Sequence, residues 1–412
     1  MFYKETAFQE TAIGRIPKDW TMKYVKELFQ VETGTTPSTT KKVDYWEKGT
    51  VNWLTPADMS KSDGAVYISS GERRITEKAV KDCNLTVMPK GSLVLSTRAP
   101  VGYVAVLSEE SAFNQGCKGL MPREYEDVCP EFYYYYLLSK KQILNNLSSG
   151  STFKELSKEM LEKVRVVFLK PREQKGIVEV LSCVDLAIQK TDKVIAKTEH
   201  LKKGLMQKLL TEGIGHKEFK DTKLGKLPIS WDTVKLADLF EFLDNKRIPL
   251  REQERAKRRG VYPYYGAQGI IDWIDDFIFE GEHVLLAEDG ANLRTKVLPL
   301  AYRVSGRFWV NNHAHVLRLK KDLPLDFFVY ALNFFDISAY VVGSAQPKLN
   351  QGDAQKISLP FPSIAEQQRI AMILSTLDSR IELDRKQKAS LNRFKQCLMD
   401  LLLTGKVRVK VD

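Results

Sequence analysis

The chain has 412 residues, 43% of them apolar, and a formal net charge of +11. That length and apolar content allow two or three domains, each with its own core, and exclude a disordered chain; the positive excess points toward a polyanionic partner such as nucleic acid. The five cysteines (Cys83, Cys117, Cys129, Cys183 and Cys397) form no C-x-x-C pair, which argues against a disulfide framework or a zinc ribbon and fits reduced thiols. Residues Met1 to Thr6 lack the apolar core of a signal peptide and no apolar run approaches membrane-spanning length, so a cytoplasmic protein without a membrane partner is expected.

In chain order, the first signal is Ile13-Gly14-Arg15-Ile16-Pro17-Lys18-Asp19-Trp20, followed by Val25 and Leu28-Phe29. Short β-rich runs come next at Val51–Leu54, Val66–Ile68, Ser92–Ser96 and Tyr103–Leu107, bounded by Gly, Pro, Asp and Ser; these predict strands and turns. Pro130-Glu131 opens the aromatic run Phe132–Leu138, read as a buried helix whose rings belong to the core rather than to a base-stacking platform. Ser148–Thr152 reads as a loop, and Val164–Leu169 as a strand leading through Pro171 into a long helix.

That helix begins Glu173-Gln174-Lys175-Gly176-Ile177 and carries Ile177, Leu181, Val184, Ile188 and Ile195 at heptad-like steps. Alternating steps of four and three make a narrow seam suited to lengthwise packing against another helix. The whole arrangement then repeats. Leu224-Gly225-Lys226-Leu227-Pro228-Ile229-Ser230-Trp231 matches the opening signal, Glu282–Ala287 reads as a strand, and Trp309–Leu317 as a turn plus strand. Asp326–Leu332 matches the aromatic helix, Gly343–Leu349 takes the place of the loop, and Ile357–Pro360 leads into a second long helix. This helix begins Glu366-Gln367-Gln368-Arg369-Ile370, with Ile370, Leu374, Leu377, Ile381 and Leu391 on its seam and Gly405 as a C-terminal cap. Thr191 and Asp384 interrupt the two seams at equivalent places, where polar residues commonly fix register.

The expected fold class is α+β: two tandem-duplicated α/β domains separated by two long antiparallel coiled-coil-like helices, each roughly 60 Å long. The expected boundaries are 1–165 and 216–360 for the globular domains and 166–215 and 361–412 for the helical spacers.

These residues resemble a family, the DNA-specificity (S) subunits of type I restriction-modification systems. The resemblance rests on both Gly-x-Ile/Leu-Pro-x-x-Trp openings, Gly34-Thr35-Thr36-Pro37-Ser38, Trp53-Leu54-Thr55-Pro56-Ala57-Asp58, the stretch Gly91–Gly102, Phe113-Asn114-Gln115-Gly116-Cys117-Lys118, and both Glu-Gln-x-x-Ile helix starts. It implies two target-recognition domains, each reading one half of a split DNA sequence, and a helix pair that docks two methyltransferase (modification) subunits. It also implies that S-adenosylmethionine, ATP and Mg²⁺ belong to partner subunits and none to this chain; whether restriction (translocase/endonuclease) subunits join stays open. The second domain departs where Ser96-Thr97-Arg98-Ala99 gives way to Ala287-Glu288-Asp289-Gly290 and Asn114-Gln115 to Asn311-Asn312. In this family such divergence implies different half-sites and so an asymmetric target.

DNA contact needs cations for phosphates and Arg, Lys, Asn, Gln, Ser or Thr for base edges. The first-domain candidates are Thr35, Thr36, Ser38, Lys41, Lys42, Arg73, Arg74, Thr97, Arg98, Asn114, Gln115 and Lys118. Arg98 leads them, because it sits in a turn after an apolar strand, beside Pro100 and Gly102. In the second domain Lys246, Arg247, Arg251, Arg255, Lys257, Arg258 and Arg259 suit phosphates, and Tyr264, Tyr265, Gln268, Asn292, Arg294, Asn311, Asn312 and His313 suit bases. Each is also explicable as a turn-former or a solvated charge. No Gly-rich methyl-donor loop, Asn-Pro-Pro-aromatic signature or phosphate-binding Gly-Lys-Ser/Thr loop is present. Asp272, Asp275, Asp276, Glu280 and Glu282 read as a solvated acidic loop rather than a Mg²⁺ site, and His313 with His315 lacks an evident third metal ligand. The competing readings are a DNA-acting enzyme with a cryptic site and a scaffold that binds only protein.

Overall fold

A computed structural model describes residues 2–62, 64–98, 100–148 and 155–410, the Lys42 side chain excepted. Beyond Ser148, the loop expected at 148–152 lies outside the described residues. Among the described residues no helix is long and apolar enough to cross a membrane. The chain divides into two compact units, Met1–Lys190 with Gln387–Asp412, and Thr191–Lys386, so each long helix contributes to both.

In the first unit, the opening signal forms the hairpin Phe8–Thr11/Gly14–Pro17, turned at Gly14 with φ +99°. It leads to Trp20, which is buried. The main sheet has five strands in the order Phe29–Thr33, Cys117–Pro122, Leu93–Ser96, Val104–Leu107, Tyr67–Ile68. Its central strands are buried on both faces, which explains their continuous apolar runs. A second sheet places Val51–Leu54 between Ser111–Phe113, parallel to it, and Arg73–Ile75, antiparallel. The aromatic run is the helix Pro130–Ser139, with proline in its first turn and Phe132 to Leu137 all buried. Tyr133 meets Phe29 edge-on at 5.2 Å.

The second unit repeats this frame by itself. Its main sheet orders Phe240–Phe242, Ala314–Leu319, His283–Ala287, Ala301–Val304. Its second sheet sets Arg259–Gly266 between Arg307–Val310, parallel, and Gly269–Ile274, antiparallel. The aromatic helix is Leu325–Phe334, and Phe328 meets Phe240 at 6.0 Å as Tyr133 meets Phe29. One expectation needs correction: Trp309–Leu317 is not a turn plus strand. Trp309 lies in Arg307–Val310 and the run resumes as Ala314–Leu319 in the other sheet. The break is chemical, since the Asn311 carboxamide oxygen accepts the His313 N–H at 2.8 Å and turns the chain.

The long helices are Pro171–Thr211 and Ile364–Leu403. Within the first unit Asp185 pairs with Lys395 at 2.6 Å, and within the second Asp378 pairs with Lys202 at 2.5 Å and Glu199 with Arg385 at 2.6 Å. These pairings make the helix segments antiparallel in each unit. Ile177 and Leu181 are buried in the first core with Met399, Leu402 and Leu403, and Ile370 and Leu374 in the second with Leu209 and Leu210. Val184 and Ile381 are also buried, whereas Ile188, Ile195, Leu377 and Leu391 are half-buried. Of the polar interruptions, Asp384 is buried against Arg380 at 2.9 Å, and Thr191 is buried. In the first unit, Val407–Val409 then pairs antiparallel with Phe2–Lys4.

The duplicated tryptophans are tied to the helix starts. Trp20 Nε1 donates to Glu173 at 3.2 Å and Trp231 Nε1 to Glu366 at 3.0 Å. A basic group that follows the other helix completes each knot: Arg408 donates to Glu173 at 2.8 Å, and His216 lies 2.9 Å from Glu366. Gly405 and Gly213 make the turn before these basic groups at φ +70° and +67°. A Cβ on Gly405 would collide with Pro17, and one on Gly213 with Trp231.

Candidate nucleic-acid interface

In the first unit three loops meet where strand Phe29–Thr33 ends, strand Leu93–Ser96 ends and strand Cys117–Pro122 begins. Their backbones are laced: Thr35 N–H donates to Phe113 O at 2.9 Å, and Thr97 N–H to Gly116 O at 2.7 Å. Gly34 passes so close to the Asn114 carbonyl that any Cβ would collide, so the motif glycine is needed for the approach. The edge thus built exposes Thr35, Thr36, Ser38, Arg98 and Gln115. The Thr36 hydroxyl donates to the Gln115 carboxamide, and Asn114 accepts the Gly116 N–H at 3.0 Å.

The second sheet of this unit holds the other basic candidates near the same loop. Trp53 Nε1 donates to Thr35 O at 3.2 Å and Trp46 Nε1 to Ser38 O at 3.1 Å. Arg73 lies over the Trp46 ring at 5.1 Å, and Arg73, Arg74 and Thr39 line a cavity of about 450 Å³. Lys41 donates to Tyr45 Oη at 3.3 Å, and Lys42 opens the helix Lys42–Tyr45, its side chain lying outside the described residues.

Two first-unit candidates are placed inside. Thr97 is fully buried and bonds Gly116 O at 3.3 Å. Lys118 is 2% exposed and lies 3.6 Å from Glu155; burial lowers its pKa although Glu155 opposes the shift. Both support the edge from beneath.

The second unit laces its loops alike: Glu288 N–H donates to His313 O at 2.9 Å as Thr97 does to Gly116, and Asn311 N–H donates to Tyr265 O at 3.0 Å as Asn114 does to Leu54 at 2.9 Å. It exposes Lys246, Arg251, Lys257, Arg259, Gln268, Arg294, Asn312 and His313. Arg247 is directed inward, 2.6 Å from Glu288 and 2.7 Å from Ala314 O. Asn292 is buried and bonds the Leu298 backbone through both its oxygen and its nitrogen, and Asn311 is buried in the turn described above. Arg255 pairs with Asp272 at 3.1 Å and Arg258 with Asp275 at 2.9 Å. Tyr264 is buried and accepts the Leu250 N–H at 2.9 Å, and Tyr265 packs on Tyr302 and Phe308. Arg247, Asn292, Asn311 and Tyr264 are supports, because their polar groups are both buried or nearly so and satisfied by protein partners.

The acidic run is paired rather than simply solvated: besides the Asp272 and Asp275 pairs, Asp276 lies 3.6 Å from Arg258 and Glu280 lies 3.0 Å from Arg307, and Glu282 pairs with Arg303. Sequence reasoning missed Asp244 and Glu288, whose carboxylates lie with His315 in a buried group with donor atoms within 4.8 Å of one another. His315 Nδ1 is 2.6 Å from Asp244 and its Nε2 is 2.8 Å from Leu349 O. Two cations meet this group: Arg247, 3.6 Å from Asp244 as well as beside Glu288, and Lys348, 3.4 Å from Glu288. The set is therefore an ionic knot under the loops.

A duplicated pair of α/β units, each presenting polar and basic side chains on laced loops, defines a two-site recognition protein with a long helix pair. The sequence pattern described as the type I restriction modification DNA specificity domain matches residues 17–199 and 228–393, and the chain belongs to that family. It is 31% identical to the type I restriction enzyme MjaIX specificity subunit of Methanocaldococcus jannaschii, over 99% of this chain and 98% of that protein. It is 26% identical to the EcoprrI specificity subunit of Escherichia coli over 91% of each. The fold is similar to the crystal structure of a type I S subunit from M. genitalium, with a TM-score of 0.61, 18% identity, and coverage of 93% of this chain and 96% of that one.

Proposed function

We propose that this chain is the non-catalytic, sequence-reading subunit of a type I restriction-modification complex, acting in the cytoplasm on double-stranded DNA. Each unit reads one half of a bipartite, asymmetric target, and the helix pair docks two methyltransferase subunits. S-adenosylmethionine and the flipping of the target adenine belong to those subunits, and ATP with Mg²⁺ to any restriction subunit that joins. The observation that carries this reading is the repeat itself: both units lace the same loops at the same sheet edge, yet expose different side chains there. Constant frame with variable display suits two readers of unlike sequences.

The test is a salt titration of DNA binding by the complex of this chain with its methyltransferase. Affinity should fall steeply with salt, and replacing Lys246, Arg251, Lys257 and Arg259 together by Ala should flatten the log–log slope by roughly one for each phosphate that is no longer neutralised. An unchanged slope and affinity would favour a scaffold that binds only protein.

A further inference from the structure

The two recognition edges share one backbone ladder. In the first unit Leu156 N–H donates to Thr97 O at 2.9 Å and an isolated bridge sets Arg98 opposite Glu155. In the second Leu349 N–H donates to Glu288 O at 2.7 Å and the bridge sets Asp289 opposite Lys348. Position by position, Arg98 corresponds to Asp289 and Glu155 to Lys348, so both charges are reversed on an unchanged ladder. The frame therefore requires neither sign. What differs is the group offered outward.

The Arg98 side chain is 44% exposed, and its guanidinium is held by Glu155 at 2.9 Å. The Asp289 side chain is 34% exposed, with one carboxylate oxygen 2.7 Å from Nδ1 of His313, itself half exposed. Each outward group is thus steadied by a neighbour but not enclosed by it. A guanidinium fork matches the two acceptors, O6 and N7, on the major-groove edge of guanine. A carboxylate can only accept, so it matches the cytosine amino group; the amino group of adenine lies beside N7, an acceptor that repels a carboxylate.

We propose that Arg98 and Asp289 are equivalent specificity determinants, Arg98 selecting a guanine in the half-site of the first unit and Asp289 a cytosine in that of the second. Glu155 is a positioning residue for Arg98. This rests on the DNA-reading function proposed above.

The experiment uses the full chain in complex with its methyltransferase, with methylated motifs mapped by long-read sequencing. The wild-type motif should contain an invariant G·C pair in each half. Arg98→Ala should release one G·C position in one half only, and Asp289→Ala one G·C position in the other; the untouched half reports that each variant is folded. In synthetic duplexes, 7-deazaguanine, which lacks the N7 acceptor, should weaken binding about tenfold at the Arg98-dependent guanine and leave the Asp289-dependent pair unaffected. Glu155→Gln should weaken discrimination at the Arg98 position without moving any other. A half-site made only of A·T pairs, or variants that lower the melting temperature while every motif position stays fixed, would overturn the assignment. If the wild-type complex yields no bipartite motif, the DNA-reading function itself fails, and that outcome is distinct from an intact motif indifferent to both variants.

Discussion

Asp185 and Asp378 occupy the same place in the two long helices, and each accepts a phenol from the aromatic helix of its own unit. Tyr135 Oη donates to Asp185 at 2.6 Å and Tyr330 Oη to Asp378 at 2.7 Å. The paired lysines complete the motif, with Lys395 and Lys202 lying 5.5 Å and 5.3 Å from the centres of the two tyrosine rings. Burial, then the carboxylate, pushes both phenol pKa values well above their usual value of 10.0. The folded chain keeps these protons where the unfolded chain has lost them, so their contribution is complete below about pH 10 and declines as pH rises beyond it. Tyr135→Phe should cost about 1–3 kcal/mol at neutral pH by removing the donor to Asp185. It should also reduce the loss of stability between pH 9 and 11, read from thermal melts; an equal alkaline loss in both proteins would contradict this. Gly405→Ala should destabilise by more than the roughly 1–2 kcal/mol of left-handed backbone strain, because the added methyl collides with Pro17. A melting temperature within a degree of wild type would refute that account. The cap at Gly405 was legible from its place after the helix, but the Pro17 contact was not, since those residues lie at opposite ends of the chain.

At the scale of elements, the long helices were legible because heptad steps and a duplicated start are local signals. That Ile177 and Leu181 pack into a globular core was not, because the partners Met399 and Leu402 are distant in sequence. The recognition edge divided in the same way. Arg98, Thr36 and Gln115 were readable as turn residues, and the structure exposes them. Lys118 and Thr97 look no different in sequence, yet Lys118 falls in the interior strand of a five-stranded sheet, between Thr33 and Leu95. Burial there depends on which strands become neighbours. The charge reversal at Arg98 and Asp289 needed the ladder register as well, because their partners Glu155 and Lys348 lie far along the chain. The helices also carry a prediction. Removing one turn from both, in matched positions on the seam, should change the number of bases between the half-sites while leaving the half-sites themselves unaltered. A constant spacer would show that the helices do not set it.

For the whole molecule, duplication is the organising fact: two units share a central frame, the same Trp–Glu tie to a helix start and the same Asp–Tyr–Lys set, and differ in their outer strands and in the display on their laced loops. If the display alone reads DNA, exchanging residues 1–160 for those of a relative should change one half-site and preserve the other; a change in both would mean that the units do not read independently. The most direct measurement is co-expression with the methyltransferase partner and mapping of methylated adenines across a genome, with and without this chain. The account predicts a split, asymmetric motif that appears only when the chain is present. Methylation that is unchanged by its absence, or a continuous symmetric motif, would contradict it.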